Sequence, residues 1–422
     1  MPYAEEGGRN LASEDLKRIL IVCEVDGYAN GQKPVEIERF LRSRGHEVRM
    51  ANAYYLGRAS DDPGSVLRKL PAPDPKRFAL YLVQLASLLF TRRWKLGRRH
   101  LSYYLLRAEL RLRRRILASS LPLDDFDLII GEHPNESELM TAPTSARVLY
   151  DCMTPWADEL YFEGRLTDKQ HQRLRRHEAE ILDSVDFLSF SWETYAPYAV
   201  THYGISGRNL MQLNWGCTPV EERVQFKDRP RVVLLSSLSS NFINLPLLSR
   251  LSKLYEIDVY GGPPPDPSLG VNYLGWAPPA VLRDYQIGLI TCSTDALRRD
   301  GFSAKNTAYI AHGLPVLVPA WRRHMDLLRG CVAYEEETFL SMIEMLSDEA
   351  EWRRLSDEAY AQAQDLTWER TLQPLEDALR DPSFRYLTPH MKAMIDGGSS
   401  GVTVPAGVSQ TAGDDRPADQ RR

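Results

Sequence analysis

The stretch from Leu16 to Met50 limits the fold more than any other part of this chain. "LKRILIVCEVDGY" contains a continuous apolar run from Ile19 to Cys23, as expected of a strand covered on both faces. A glycine-containing loop follows, then "PVEIERFLRSRGHEVRM". There Val35, Ile37, Phe40 and Leu41 fall at helical spacing, Gly45 stops the helix, and "HEVRM" starts a second strand. Strand, helix and strand with short connections make a βαβ unit, which requires a parallel sheet.

The pattern recurs. "FDLIIGEHP", "RVLYDCM" and "VDFLSFSWE" read as further strands, with the helical "TDKQHQRLRRHEAEILDSV" between the last two. A second series begins at Arg231 with "RVVLLSSLSS", "EIDVYGGPP", "VNYLGW", "YQIGLITCS" and "LPVLVPA". The proline- and charge-rich "CTPVEERVQFKDRPR" between the series reads as a linker. At 422 residues, two domains are the default. The expected architecture is α/β, two doubly wound Rossmann-like domains facing a cleft, with ligands at the carboxyl ends of the strands.

The expected boundaries are a tail at 1–14, a first domain at 15–222, a second at 223–368, a helix packing back across the cleft at 369–390, and a disordered tail at 391–422. That last tail is small, polar and free of aromatics from "GGSSG" onward, so it cannot offset its ordering entropy. Apolar content of 43%, a charged fraction of 26% and a net charge of −5 fit a globular protein with no overall bias toward nucleic acid. Five scattered cysteines suggest neither a disulfide framework nor a zinc cluster and suit a reducing cytosol. The first residues carry acids and no apolar core, unlike a signal peptide. The longest uncharged apolar run, Phe78 to Phe90, is short of the ~20 residues of a membrane span.

Within the second series, "FSAKNTAYIAHGLPVLVP" places Ser303 as a helix N-cap, Ala304 to His312 as the helix, Gly313 as its left-handed stop and Pro315 to Val318 as the next strand. A helix start presents unpaired N–H groups and a partial positive charge, which suits an anion. Lys305 in the first turn opposes the macrodipole but matches a bound anion. A solvated surface lysine is the plainer alternative.

From Lys305 to Val316 the residues resemble the "K-x-x-E-Y-x-A-x-G-x-P-V" signature of the family 4 retaining glycosyltransferases and their GT-B relatives. "VNYLGWAPPAVLRDYQIGLI", "LNWGC", "RFLRSRGHEVRM" and "LYDCM" with "RRHEAEILDSVDFLSFSWE" are similar to further segments of that family, in the same order from Arg18 to about Trp368. The resemblance implies a nucleotide-sugar donor whose diphosphate is held at the helix start, by Lys305, Asn306, Thr307, Ser303 and Gly301; Arg299 and Arg298, just before the helix, are placed to supply further positive charge. Ser239 lies in "SSLSSN", where the family has a glycine-rich basic turn. Ala308 replaces the usual ribose-binding glutamate, and Asp300 matches the upstream acid of the paired pattern. His133 in "GEHPNESE" corresponds to a histidine that contacts the transferred sugar, with Glu132 and Asn135 beside it and Gly27, Asn30 and Gly31 in the facing loop. Catalytic roles are expected of His133 and Asp300.

By the same resemblance the anomeric configuration is retained, the nucleotide-diphosphate sugar is a co-substrate, and no cofactor is required. "DDFD" precedes a strand and is assigned no metal. The acceptor is unidentified: a lipid-linked or cell-envelope glycan, or a small molecule. A catalytically inactive scaffold and a nucleotide-sugar epimerase are the alternatives. Residues 76–117 are rich in arginine, lysine and aromatics. They suit either an anionic membrane surface, which would make the enzyme peripheral at the inner face, or a hairpin packed within the fold. No nucleic-acid motif accompanies them.

Overall fold

A computed structural model describes residues 16–23, 32–52, 75, 79, 82–83, 98–132, 137–239, 242–324, 327–381 and 383–398. The opening βαβ unit is β1 (Arg18–Cys23), α1 (Gln32–Ser43) and β2 (Glu47–Asn52). Ile19, Leu20, Ile21 and Val22 are fully buried, as a central parallel strand requires. Then follow α2 (Arg98–Ser120), β3 (Leu128–Gly131), β4 (Arg147–Cys152), α3 (Trp156–Phe162), α4 (Asp168–Ser184), β5 (Phe187–Phe190) and α5 (Tyr195–Tyr203). The strands pair in parallel in the order β2-β1-β3-β4-β5, with Ile19 opposite Val48 on one side and Leu128 on the other.

The second sheet has β6 (Val232–Leu235), β7 (Ile257–Tyr260) and β8 (Asn272–Tyr273), with α6 (Leu245–Leu254) joining the first two. β9 (Ile287–Leu289) is followed by α7 (Ala296–Asp300), α8 (Ala304–Ala311), β10 (Val316–Pro319), β11 (Cys331–Tyr334), α9 (Phe339–Met345) and α10 (Glu349–Asp365). Its order is β11-β10-β9-β6-β7-β8, again parallel, so the strand order reverses between β6 and β9. That reversal opens a crevice at their carboxyl ends.

The chain then returns to the first sheet. α11 (Trp368–Arg380) packs Trp368, Leu372, Leu375 and Leu379 with Ile37, Phe40 and Leu41 of α1 in one apolar core. His46 Nε2 lies 2.9 Å from Glu376 Oε2, and Arg147 donates to the carbonyl of Ala378 at 2.8 Å. Gly216 admits the Trp368 ring, since a Cβ there would sit 2.6 Å from it.

The expectation of a disordered tail from 391 is corrected over its first residues. α12 (Pro389–Gly398) is a helix packed on α5, with Met391 fully buried and Ile395 against the same core. Met391 and Ile395 are four apart and share a helical face, so their burial supplies what the glycine-rich residues beyond them lack. Residues 399–422 lie outside the described part.

Part of the basic segment turns inward. Leu110, Ile116 and Leu117 of α2 are buried, Arg113 is 3% exposed beside Glu109, and Arg107 pairs with Glu138 at 2.7 Å. Of residues 76–97 only 79, 82 and 83 are described. Among the described residues, no helix is long and apolar enough to cross a membrane.

Candidate functional site

α8 starts over the crevice of the second sheet. Ser303 is its N-cap, although its side chain makes no capping bond; its carbonyl receives the N–H of Asn306 at 2.8 Å. Gly313, at φ +73°, ends the helix in the left-handed conformation that glycine adopts without strain. Tyr309 anchors the underside. Its hydroxyl accepts the N–H of Leu235 at 2.8 Å and reaches the carbonyl of Leu289 at 3.2 Å, bridging the ends of β6 and β9. The ring fits because residue 288 is glycine: a Cβ there would lie 2.5 Å from Tyr309.

A cavity of about 150 Å³ lies at the helix start, with Gly301, Ser303, Ala304, Lys305, Arg298 and Arg322 in its wall. Three cations therefore face one small space. Lys305 has no ionic or hydrogen-bond partner among the described residues. Burial, together with the charge of Arg298, lowers its ammonium below the ordinary lysine value. Arg322 is 7% exposed; it donates to the carbonyl of Gly301, while its Nε has no partner among the described residues. Arg298 stacks over Phe242, 3.8 Å from the ring centroid, and reaches Glu159 Oε1 of the first domain at 3.2 Å. Burial raises the Glu159 carboxyl, and the facing guanidinium only partly offsets this.

The two domains meet at this point. Phe302 stacks on Trp192, and Thr194 donates its hydroxyl proton to the carbonyl of Asp300. Gly301 accommodates Tyr195, whose hydroxyl oxygen would be 2.6 Å from any Cβ at that position. The cavity is smaller than the roughly 300–1,000 Å³ of typical ligand pockets, but it has room for a phosphate group.

The expected donor residues separate. Lys305, Ser303 and Gly301 line the cavity. Asn306 is buried, with its amide oxygen 3.5 Å from the thiol of Cys331, and Thr307 bonds back to the carbonyl of Ala304 at 2.7 Å; neither lines the cavity. Arg299 is exposed and outside the lining; its neighbour Arg298 points in. Asp300 is buried, its carboxylate 3.5 Å from both Arg323 and His324. Ser239 is exposed, its hydroxyl 2.8 Å from that of Ser237. Glu132 is buried just after β3, while His133, Asn135, Gly27, Asn30 and Gly31 lie outside the described residues. Arg322 escaped the sequence reading. Its position three residues past β10, at a strand carboxyl end, was the available signal.

Solved structures share this fold. The chain aligns with a UDP-forming trehalose-phosphate synthase from Burkholderia xenovorans over 87% of its own length and 100% of that chain, at TM-score 0.57 and 12% identity. It aligns with trehalose-6-phosphate synthase from E. coli bound to UDP-2-fluoro glucose over 86% and 99%, at 0.58 and 12%. HepE from Anabaena, in complex with UDP and glucose, gives 86% and 100%, at 0.56 and 13%. The fold is GT-B. No protein-family model matches the chain, and no curated protein matches it either. The cavity is walled by second-domain residues, of which Arg298, Gly301 and Phe302 also touch the first domain.

Proposed function

We propose that the protein is a glycosyltransferase that takes a sugar from a nucleotide-diphosphate sugar, with retention of anomeric configuration. The supporting observation is the convergence of Lys305, Arg298 and Arg322 on the start of α8 in the interdomain cleft. When the sugar C1–O bond breaks, its electron pair goes to the diphosphate, and the added negative charge needs preorganised positive groups. Three cations and free helix N–H groups meet that need without a metal ion. The acceptor hydroxyl oxygen then bonds to C1, and its proton must leave.

Two of the structural neighbours were solved with UDP or UDP-2-fluoro glucose bound, so uridine donors are the first to try. Retention rests on the family resemblance. Closure of the cleft through Phe302 and Trp192 would keep water from the donor. Five cysteines without disulfide bonds suit a cytosolic enzyme.

Isothermal titration with UDP, UDP-glucose and UDP-N-acetylglucosamine tests the reading, alongside Lys305→Ala. Saturable binding that Lys305→Ala weakens at least tenfold is expected, since a charge-assisted contact is lost. A chain whose melting temperature and heat signal ignore every nucleotide and nucleotide-sugar is a scaffold. Donor conversion without any acceptor would identify an epimerase.

A further inference from the structure

In the first domain, α2 and α4 border a groove of about 490 Å³, within the range of ligand pockets. Both helices lead into the amino ends of parallel strands, so both run back from the carboxyl edge of the sheet. Glu138 ties them together, accepting from Arg107 at 2.7 Å and from His177 at 2.8 Å. Burial would raise that carboxyl, but the His177 hydrogen bond and the charges of Arg107, His177 and Arg114 outweigh it and hold it low.

The arginines of this region divide by direction. Those turned toward the protein have partners: Arg107 has Glu138, Arg113 has Glu109, Arg114 has the carbonyl of Thr141, and Arg175 has Asp158. Arg111, Arg173 and Arg176, which are exposed and line the groove, form no ion pair among the described residues. Only the solvent-exposed Glu180 adds a negative charge to the lining. Like charges gathered in a concave site on a chain of net charge −5 repel one another until an anion joins them. Beside them stand Tyr103 and Tyr104, edge to face at 5.4 Å, with Tyr104 59% exposed. An exposed tyrosine ring offers a flat apolar face for a sugar ring.

We propose that this groove binds a multiply anionic oligosaccharide, with its phosphate or sulfate groups on Arg111, Arg173 and Arg176 and a sugar ring on Tyr104. If the glycosyltransferase reading holds, on which this clause alone rests, that ligand class is the acceptor chain, entering the cleft from the carboxyl edge. A membrane surface is the less favoured occupant, because the apolar residues Leu110, Ile116 and Leu117 of α2 are spent in the core.

The test uses the full chain and a heparin-derived hexasaccharide, titrated calorimetrically at low and high salt. Saturable binding is expected, weakened by salt, at least tenfold weaker in the triple variant Arg111→Ala/Arg173→Ala/Arg176→Ala and weaker in Tyr104→Ala. All four positions are exposed, so an unchanged melting temperature should accompany the loss. Equal binding by wild type and triple variant overturns the proposal, as does no binding. Binding of vesicles containing 30% phosphatidylglycerol through the same arginines without hexasaccharide binding also overturns it, and so does equal affinity for a single-stranded DNA of matched charge. UDP titration of the triple variant separates this outcome from failure of the donor reading, since the groove residues are absent from the donor cavity.

Discussion

Phe302 lies flat on Trp192, with ring centroids 3.9 Å apart and planes 12° from parallel. One ring belongs to the loop that opens α8, the other to the segment after β5. The pair therefore joins the two domains at the mouth of the cation-lined cavity.

Removing that pair should loosen the cleft. Offset or parallel aromatic pairs contribute about 0.5–1.5 kcal/mol beyond burial. Phe302→Ala is expected to speed amide hydrogen exchange across 296–305 while leaving the rest of the second sheet protected. Unchanged exchange there would mean that the domains are not held together at this contact.

Lys305→Ala separates function from stability. The ammonium is desolvated and has no protein partner among the described residues, so its loss should leave the melting temperature unchanged or raised. Nucleotide-diphosphate affinity should fall in the same variant. Loss of both together would make Lys305 structural.

Gly288→Ala tests how the crevice positions α8. A methyl group 2.5 Å from the Tyr309 ring must displace it, and overpacking of this kind costs about 1–3 kcal/mol. Denaturant midpoints should drop, and the bridge from Tyr309 to Leu235 and Leu289 should be disturbed. A variant with native stability and native donor affinity would contradict that anchoring role.

Glu178 should give stability a pH dependence. Its carboxylate accepts the N–H groups of Trp156 and Ala157 at 2.8 Å each, yet burial, assisted by the charge of Asp158, pushes the carboxyl up to about 7. Because the folded value exceeds the unfolded one, the folded state holds its proton more tightly. This contribution is fully present below about pH 4.5 and is lost as pH rises toward 7, a change on the order of 3 kcal/mol. Urea denaturation between pH 4.5 and 8 should show that slope in wild type and a flatter one in Glu178→Gln. Identical slopes would remove Glu178 as the cause.

If the cavity cations alone balance the leaving diphosphate, donor turnover should persist in excess EDTA. A rate that collapses with chelator and returns with added magnesium would assign part of that charge to a metal.

Local signals carried far in this chain. Apolar runs such as Ile19 to Cys23, there followed by helical spacing and the stop at Gly45, were enough to imply parallel sheets, because every step depends on neighbours within a few residues. The same holds for α8, where Ser303, Lys305 and Gly313 announce a helix start, a cation and an end.

The site itself needed contacts distant in the sequence. Arg298 meets Glu159 across 139 positions, Thr194 meets Asp300 across 106, and Arg322 reaches Gly301 from the far side of β10. Whether Arg298 or Arg299 enters the cavity depends on a rotation about a five-residue helix, which composition does not encode. The sequence by itself determined the alternation of strands and helices and the anion-ready start of α8, since these follow from local periodicity and capping. Only the tertiary structure decided which cations share the cavity, because that depends on how two separately wound sheets are brought together by Phe302, Trp192 and the returning α11.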